Sequence, residues 1–401
     1  MICVGIDVAK EKSMVCILKP YGEVLVHPYE LTHTEADVQT LIEKILSFNE
    51  EVKVVMEATG AYHLPLLSSL KQHNLFVAVI NPLVMKRYAA CSIRKGKTDR
   101  LDSVKIANYG LDNWFNLKDY KPSDEVYEEL KYLGRQYYHY SRTAVEEMLA
   151  LTNLLDRTMP GIKKIVKSKQ QAHPTRDKLL DFVETFWHFD VITAQSEAEF
   201  TESYNAWAEK NKYRKNSEQA AKIYAAAAAG IPTLSSSRTS TQMLTQNSVK
   251  VLKELNKTLE EILTHMQSLA GMLPEYEMVK AMPGVGEILA CKLIAEIGDV
   301  RRFKNSSALV AYAGIDSPPH ESGSSVDSNC KISKRGSSLL RKTGYELMIC
   351  LKSVKPEYDS AVYDFLIKKE GEGKPPKVAK IAAFNKFLRI YYARAMELYA
   401  S

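Results

Sequence analysis

Two hydrophobic runs near the N-terminus each end in an acidic residue, and this pattern constrains the fold more than any other feature. Residues 2–6 (ICVGI) precede Asp7, and residues 52–56 (VKVVM) precede Glu57. Short runs rich in β-branched residues are typical of buried strands. Because the strands of a sheet can bring their ends to a common edge, the pattern predicts a sheet with Asp7 and Glu57 at one edge.

Two further acids lie one helical turn apart. Asp99 and Asp102 are spaced i, i+3, so one face of a helix carries both side chains. Four carboxylates from two strand ends and one helix are suited to two Mg²⁺ ions roughly 3.5–4 Å apart, which assist phosphodiester chemistry. Each acid also has a simpler interpretation, since an Asp after a strand often begins a turn and Thr98-Asp99 can cap a helix. The four together favour metal-dependent phosphoryl transfer.

Positive charge is concentrated in two segments. The whole chain of 401 residues has a formal net charge of only +6. The first basic segment overlaps the acidic helix and comprises Lys86, Arg87, Arg94, Lys95, Lys97, Arg100 and Lys105. The second comprises Lys331, Lys334, Arg335, Arg341 and Lys342. Solvated basic faces are common, yet two such clusters favour a polyanionic partner.

The sequence lacks the patterns of several other kinds of site. Its six cysteines form no C-x-x-C pair, and its nine histidines show no spacing typical of zinc ligands. The cysteines are therefore expected to be reduced thiols. No apolar run approaches the ~20 residues of a membrane span. We expect a cytoplasmic protein with no membrane partner.

Residues 1–115 alternate strand and helix signals. Residues 14–18 and 24–26 flank a turn that contains Pro and Gly, which predicts a hairpin. A helix is expected from about Thr34, with Val38, Leu41, Ile42 and Ile45 on one side. A strand, a helix, a strand and the helix of Asp99 are expected to follow. Three leading strands followed by βαβ units match the ribonuclease H-like (RuvC-like) order. The predicted class is therefore α/β for this region, followed by all-α structure.

Residues 120–275 are expected to be helical and able to form a coiled coil. Apolar residues repeat at spacings of three and four from Val126 to Ala144, and an a/d series runs from Leu252 to Leu273. Both stretches are long enough for coiled-coil packing. Two arrangements remain open: an antiparallel hairpin within one chain, or a contact that holds a dimer.

Residues 276–401 are expected to form a third, mainly helical region. Residues 283–286 (PGVG) fit the turn of a helix-hairpin-helix element whose second helix spans 287–297. Backbone N–H groups near Gly284 and Gly286 can hold DNA phosphate without reading its sequence. An ordinary corner between two helices is the alternative interpretation.

A loop of small polar residues follows at 320–325 (HESGSS). A serine hydroxyl is a weak nucleophile until a base, a metal or a cationic pocket activates it, and such a loop is most often a solvated connection. Lys334, Arg335 and Arg341 nevertheless follow closely in the sequence. These side chains can neutralise a phosphate that is placed against the loop.

The chain resembles the transposases of the insertion-sequence 110 family. The resemblance rests on motifs that occur in the same order. They are GIDVAK at 5–10, MEATG at 56–60, KTDRLD at 97–102, PGVG at 283–286, AGI at 313–315 with Pro318, SG at 322–323 and KISKRG at 331–336. These motifs cover the N-terminal hundred residues and roughly residues 280–345, whereas the helical middle adds little specificity.

The resemblance implies a RuvC-like domain with four acids that bind Mg²⁺ and a C-terminal transposase domain with a nucleophilic serine. The acids are Asp7, Glu57, Asp99 and Asp102. The serine attacks a DNA phosphodiester and forms a transient phosphoserine link, and by position it best matches Ser322. The neighbouring serines are Ser317, Ser324 and Ser325.

The resemblance also implies partners. These are double-stranded DNA at the element ends and the target, a structured bridge RNA as guide, and further copies of the chain in a homodimer or homotetramer. The residues expected to contact nucleic acid are Arg94, Lys95, Lys97, Arg100, Gly284, Gly286, Lys331, Lys334, Arg335 and Arg341. Two rival functions are a junction-resolving nuclease that uses water, and a non-enzymatic nucleic-acid-binding scaffold in which the acids are caps and turns.

Overall fold

The structure is a computed structural model that describes residues 1–58, 60–90, 98–121, 124–167, 177–317, 321–322, 325–326 and 331–400. The chain divides into two compact units, Met1–Pro122 and Ser123–Ser401. Hydrophobic clusters fill the interior of each unit. No helix in these described ranges combines the length and the apolar character needed to cross a bilayer.

The first unit is a mixed sheet with helices on both faces. Its strands are β1 (Ile2–Val8), β2 (Lys12–Leu18), β3 (Val24–Thr32), β4 (Val52–Glu57) and β5 (Val77–Ile80). Its helices are α1 (Glu35–Leu46), α2 (His63–Gln72), α3 (Pro82–Ala90) and α4 (Asp99–Asp112). The strand order is β3-β2-β1-β4-β5; β1, β2 and β3 pair antiparallel, and β1, β4 and β5 pair parallel. The predicted ribonuclease H-like order is confirmed.

Strand β1 contributes side chains to both faces of this sheet, because successive side chains of a strand point in opposite directions. Ile2, Val4 and Ile6 pack into a core that includes residues of α1 and α2. Cys3 points the other way and packs into a second core with Ala107 of α4. Helix α4 therefore covers the face of the sheet opposite to α1 and α2.

The second unit is helical apart from one short hairpin, as far as the described residues show. Its helices are α5 (Glu125–Thr158), α6 (Ile162–Ile165), α7 (Lys178–Thr185), α8 (Phe189–Thr193), α9 (Glu197–Lys210), α10 (Ser217–Ala229), α11 (Thr239–Ala270), α12 (Glu275–Lys280), α13 (Glu287–Ile297), α14 (Ser306–Ala313), α15 (Ser338–Val354), α16 (Ala361–Gly371) and α17 (Pro376–Ala400). The hairpin pairs β6 (Glu321–Ser322) with β7 (Ser325–Val326).

The long helices α5 and α11 pack antiparallel within the chain. Glu129 near the start of α5 lies 3.3 Å from the imidazole of His265 near the end of α11. Further along α5, Glu147 accepts a hydrogen bond of 2.5 Å from the hydroxyl of Ser248 in the first half of α11. The structure therefore shows the intrachain hairpin, which is one of the two arrangements that the sequence left open.

The two ends of α5 belong to different hydrophobic cores. Near its C-terminal end, Leu151 and Leu155 pack into a cluster rich in aromatic side chains from the segment between the two long helices. Near its N-terminal end, Tyr127 and Leu130 pack with residues of α12 to α17. Because the helix has 34 residues, its ends are about 50 Å apart.

A buried carboxylate links early and late parts of the second unit. Glu275, at the start of α12, is 1% exposed. It accepts a hydrogen bond of 2.6 Å from the hydroxyl of Tyr127 in α5 and one of 2.5 Å from the hydroxyl of Tyr399 in α17. These bonds provide the partners that a buried polar group requires.

Helices α12 and α13 flank the Pro-Gly-Val-Gly turn, as the sequence predicts. Gly284 has a φ of +79°, and a Cβ at this position would lie 2.8 Å from the Cα of Leu351 in α15. Both the left-handed backbone and the close approach require glycine here. Gly286 precedes α13 and is exposed, with no atom within 4 Å of where a Cβ would stand.

Candidate active site

Asp7 and Glu57 lie at the carboxyl ends of two adjacent strands. Strands β1 and β4 are parallel, and Ile6 pairs with Met56. Asp7 and Glu57 therefore occupy the next position along the pair of strands. By the alternation of the strand, both side chains belong to the face that α4 covers.

Two glycines allow α4 to lie directly against this face. A Cβ on Gly5 would lie 2.4 Å from the backbone oxygen of Ser103 and 2.4 Å from the backbone nitrogen of Ala107. A Cβ on Gly110 would lie 2.3 Å from the sulfur of Cys3. The later part of α4 thus covers the start of β1, and the earlier part covers its middle. The helix runs antiparallel to the strand, and its first turn lies toward the carboxyl end of β1.

The first turn of α4 carries the other two acids. Thr98 caps the helix, because its hydroxyl accepts a hydrogen bond of 3.3 Å from the N–H of Leu101. Asp99 and Asp102 follow directly, in the turn where the helix dipole favours carboxylates. The backbone therefore brings both residues toward the sheet edge that holds Asp7.

Glu57 and Asp102 are close enough to interact electrostatically. Burial raises the pKa of Glu57, and the nearby carboxylate of Asp102 raises it further. Asp102 is in turn bound by Lys105, whose Nζ lies 2.7 Å from Oδ1. Two carboxylates that repel each other at a partly buried edge favour the binding of a cation.

The charge of Asp99 reaches a lysine of β2. Lys12 of β2 is hydrogen-bonded to Glu30 at 2.7 Å. This hydrogen bond raises the pKa of Lys12 most, and the charge of Asp99 contributes to the same shift. Asp99 is therefore within electrostatic range of a strand next to β1.

The donor set suits a hard divalent cation, but the side chains are not gathered around one point. Carboxylate oxygens are the ligands that Mg²⁺ prefers. Within the described parts of the chain, no three Asp, Glu, His or Cys side chains stand close enough together to hold a metal ion. Within the Asp102 carboxylate, Lys105 contacts only Oδ1, so the other oxygen could bind an ion between Glu57 and Asp102 while the ion pair remains.

The serine implied by the resemblance lies in the short hairpin of the second unit. The backbone of Ser322 belongs to β6 and pairs with Ser325 of β7. Ser324 lies outside the described residues. The choice of Ser322 as nucleophile stays a prediction.

The base of this hairpin arm is closed by backbone hydrogen bonds. The N–H of Ser333 donates to the carbonyl oxygen of Asp316 at 2.8 Å, and the N–H of Lys334 donates to that of Gly314 at 3.0 Å. The hydroxyl of Ser333 also donates to the carboxylate of Asp316. The two ends of the arm are therefore fixed to each other.

Two family models match the chain. The DEDD-type IS110 model, described as Transposase, matches residues 4–160, and a model described as Transposase IS116/IS110/IS902 family matches residues 276–363. Together they cover more than half of the chain, including both regions that carry the predicted motifs. The chain belongs to the IS110 family of transposases. This transposase is therefore an enzyme that recombines DNA.

Known proteins similar to the transposase include two bacterial relatives. The insertion element IS116 uncharacterized 44.8 kDa protein of Streptomyces clavuligerus is 24% identical over 327 residues, which are 80% of this chain and 77% of that protein. The pilin gene-inverting protein of Moraxella bovis is 22% identical over 340 residues, 85% of this chain and 79% of that protein. Among solved structures, T. thermophilus RuvC in complex with Holliday junction substrate is 13% identical, covers 30% of this chain and 99% of that chain, and has a TM-score of 0.23.

The basic residues expected to contact nucleic acid have different surroundings in the transposase. Three lie outside the described residues: Arg94, Lys95 and Lys97. Four are exposed: Arg100, Lys331, Lys334 and Arg335. Exposed cations suit contacts with phosphate, and these contacts stay predictions.

Arg341 is engaged by the backbone around the hairpin arm. Its Nη1 donates to the carbonyl oxygens of Ala313 and Gly336, both at 3.0 Å, and of Ser337 at 3.3 Å. This nitrogen therefore stabilises the base of the arm. A contact between Arg341 and phosphate would have to use the rest of its guanidinium group.

Several residues that shape the site are not recognisable from the acidic motifs. Gly5 and Gly110 position α4, and the signal for Gly5 is a glycine inside a strand pattern, which often marks close backbone approach. Glu296 of α13 is 5% exposed and accepts a hydrogen bond of 2.7 Å from the hydroxyl of Ser337. A lone acid in a helix gives no comparable sequence signal.

Replacing Gly5 with alanine should loosen α4 from the sheet. The added methyl group would overlap two backbone atoms of the helix, which cannot move aside as a flexible side chain can. We expect a destabilisation of about 3 kcal/mol, with faster hydrogen exchange of the amides of α4 and weaker strand cleavage. Gly371→Ala is the control, because a Cβ there meets no atom within 4 Å. Unchanged hydrogen exchange in Gly5→Ala would contradict the close contact.

Proposed function

We propose that this transposase cleaves and rejoins DNA strands with Mg²⁺ at the acidic edge and Ser322 as the nucleophile. The observation that carries the proposal is the placement of α4. Its antiparallel course over β1 brings Asp99 and Asp102 toward the edge where β1 and β4 end in Asp7 and Glu57. Four carboxylates at one edge of a ribonuclease H-like sheet suit metal-assisted phosphoryl transfer.

The four acids would have to close in around the metal to hold it, because among the described residues no three of them stand close enough together to do so. The bound metal would polarise the phosphate and make the serine hydroxyl easier to deprotonate. The hydroxyl oxygen of Ser322 attacks the phosphorus, and the bond from phosphorus to the departing DNA oxygen breaks. The serine loses one proton, and the departing oxygen takes one up as it becomes a hydroxyl group. The strand stays attached to the protein as a phosphoserine diester. Attack by a DNA hydroxyl then restores a phosphodiester and returns the serine. Each step exchanges one ester for another, so rejoining needs no ATP.

The similarity to a pilin gene-inverting protein supports rejoining over simple hydrolysis. Inverting a segment of DNA requires that every cut strand be joined again. A covalent intermediate conserves the energy of the broken bond for that purpose, whereas hydrolysis does not.

The proposal includes a structured guide RNA and a homodimer or homotetramer as partners of the transposase. Recombination acts on two duplexes, and an assembly with several copies of the site can act on both. The family resemblance supports both partners. The exposed basic residues Lys331, Lys334 and Arg335, with the turn at Gly284 and Gly286, are proposed to contact nucleic-acid phosphates.

The proposed function is tested by a strand-exchange reaction with purified transposase. The substrates are labelled duplexes that carry the element ends and a target, with and without RNA transcribed from the DNA that flanks the gene. We expect joined products with Mg²⁺ and none with EDTA. Hydrolysed ends without joined products would favour the water-using nuclease, and no Mg²⁺-dependent product would favour the non-enzymatic scaffold.

A further inference from the structure

Three segments of the second unit are linked by direct contacts. In the α12–α13 turn, Gly284 packs on Leu351 near the C-terminal end of α15. The next residue, Lys352, places its Nζ 2.7 Å from the carboxylate of Glu370 in α16. Residues 371–376 then turn the chain into α17. The α12–α13 turn, the end of α15 and the α16–α17 corner are therefore neighbours.

The acids at the α16–α17 corner are already paired with lysines. Glu370 is bound by Lys352, and Glu372 is bound by Lys369 at 2.7 Å. The hydrogen bond from Lys369 lowers the pKa of Glu372 most, and the charges of Lys368 and Lys374 lower it further. These two pairs contribute no net charge to the surface.

Four further lysines leave the surface with an excess of positive charge. They are Lys355, Lys368, Lys374 and Lys377, and all four are exposed. Across the residues that the structure describes, none of the four is in an ion pair, as each carboxylate bound at this corner belongs to another lysine. Among the described residues, the acids nearby that lack an ion pair are Glu287, Glu357 and Asp364, three against the four lysines.

The four lysines come from the end of α15 and from the α16–α17 corner. Lys355 follows α15, one helical turn and so about 6 Å beyond Leu351. Lys368 is in the last turn of α16, and Lys374 and Lys377 are on either side of the start of α17. A lysine ammonium on a long flexible stem suits phosphate contacts that do not depend on base sequence.

We propose that this lysine surface, Lys355, Lys368, Lys374 and Lys377, binds the phosphate backbone of duplex DNA beside the α12–α13 turn. The proposal rests on the proposed function, since it assumes that the transposase handles DNA at this unit. The partner is DNA because the surface adjoins the turn proposed to hold DNA phosphate. Binding there would make the DNA footprint wider than the α12–α13 turn alone.

The test neutralises the four lysines in the full-length protein, as K355Q/K368Q/K374Q/K377Q. Fluorescence anisotropy measures the binding of a labelled duplex that lacks element sequence, over a range of salt concentrations. Each lost phosphate contact lowers the slope of log K against log salt by roughly 0.9. We expect the slope to fall by about 2–4, with weaker binding at low salt. An unchanged slope would overturn the proposal.

A matched variant separates local contacts from net charge. K164Q/K167Q/K210Q/K250Q removes the same charge from exposed lysines around the other core of the second unit. We expect its slope to stay close to that of the unchanged protein. An equal fall in both variants would overturn the proposal, because net charge alone would explain it. Weaker binding of a structured RNA hairpin, with duplex binding unchanged, would overturn it in favour of an RNA surface.

Different experimental results would refute the lysine surface and the catalytic proposal. The lysine variants are judged by the salt dependence of duplex binding, whereas the catalytic proposal is judged by metal-dependent joining and by a covalent adduct. If the lysine variant binds duplex normally while the unchanged protein still joins strands, only the lysine surface is refuted. If no joined product forms while the lysine variant loses its salt slope, only the catalytic proposal is refuted.

Discussion

Asp7→Asn should abolish strand cleavage and leave DNA binding nearly unchanged. The substitution keeps the size of the side chain and removes a charged ligand from the proposed metal site at the end of β1. We expect cleavage to slow by roughly 1,000-fold or more, the scale of losing a group that stabilises charge in the transition state. A labelled duplex incubated with Mg²⁺ and resolved on a denaturing gel gives the rate, and anisotropy gives the binding.

Glu57→Gln should show the same loss of cleavage without a loss of stability. The pKa of Glu57 is raised in the folded protein, so the folded state binds this proton more tightly than the unfolded state. That contribution to stability is present at low pH and is lost as the pH rises through the raised pKa. At neutral pH without metal, the ionised Glu57 therefore opposes folding. We expect Glu57→Gln to melt at the same temperature as the unchanged protein or higher.

The control for the acid variants is Glu35→Gln, which neutralises an exposed acid of α1 in the same unit. It should cleave normally, because α1 packs on the opposite face of the sheet. Normal cleavage by Asp7→Asn or by Asp102→Asn would refute the metal site. If Asp7→Asn or Asp102→Asn unfolds at room temperature, the cleavage rate of Glu57→Gln decides whether the metal site exists.

Ser322→Ala should bind DNA and form no covalent adduct. On a nicked suicide substrate with Mg²⁺, the unchanged transposase is expected to accumulate a DNA–peptide adduct, because the released strand cannot return to attack the phosphoserine. Mass spectrometry of the digested complex should place the DNA on Ser322. Without the hydroxyl no ester can form, so the expected loss of adduct is complete.

The control is Ser325→Ala, which removes a hydroxyl from the residue paired with Ser322 across the hairpin. It should form adduct normally. An adduct that maps to Ser324 or Ser325 would keep the mechanism and correct the choice of serine. Free 5′-phosphate and 3′-hydroxyl ends with no adduct on any serine would support hydrolysis by water.

The parts of the fold that the sequence predicted are those with regular apolar spacing. Helix α1 is expected from about Thr34, and it begins at Glu35 with Thr34 as its cap. Its predicted apolar side is the side that is buried, namely Val38, Leu41, Ile42 and Ile45. The Pro-Gly-Val-Gly turn and α13 were likewise predicted, because glycine chemistry and apolar spacing act locally.

Other helices depend on tertiary contacts that the spacing of apolar residues along the sequence does not reveal. Helix α3 was not predicted, and among its residues only Met85 is buried. Helix α4 packs through small residues, including Ser103, Ala107 and Gly110, so its contact face has no strong apolar period. Sequence therefore located Asp99 on a helix, while the direction of that helix across the sheet came from the structure.

The positions of the acids at strand ends and on a helix could be predicted from the sequence, whereas the partners of the basic residues could not. Strand ends and a capped helix indicated the acidic edge, since both are local features. The ion pair of Asp102 with Lys105 and the bonds of Arg341 to three carbonyls arise from side-chain geometry that charge clustering does not show. A basic residue in a cluster can bind the protein's own backbone as readily as a phosphate.

The hydrogen bonds of Glu275 join the beginning of the second unit to its last helix. The first unit contains only residues up to 122, so it can fold while the rest of the chain is being made. The second unit joins Tyr127 to Tyr399 through Glu275, and its core is complete only when α17 has left the ribosome. At 5–20 residues per second the remaining roughly 280 residues take about 15–55 s. A nascent chain therefore carries the acidic edge for most of its synthesis before the helical half that must work with it is assembled.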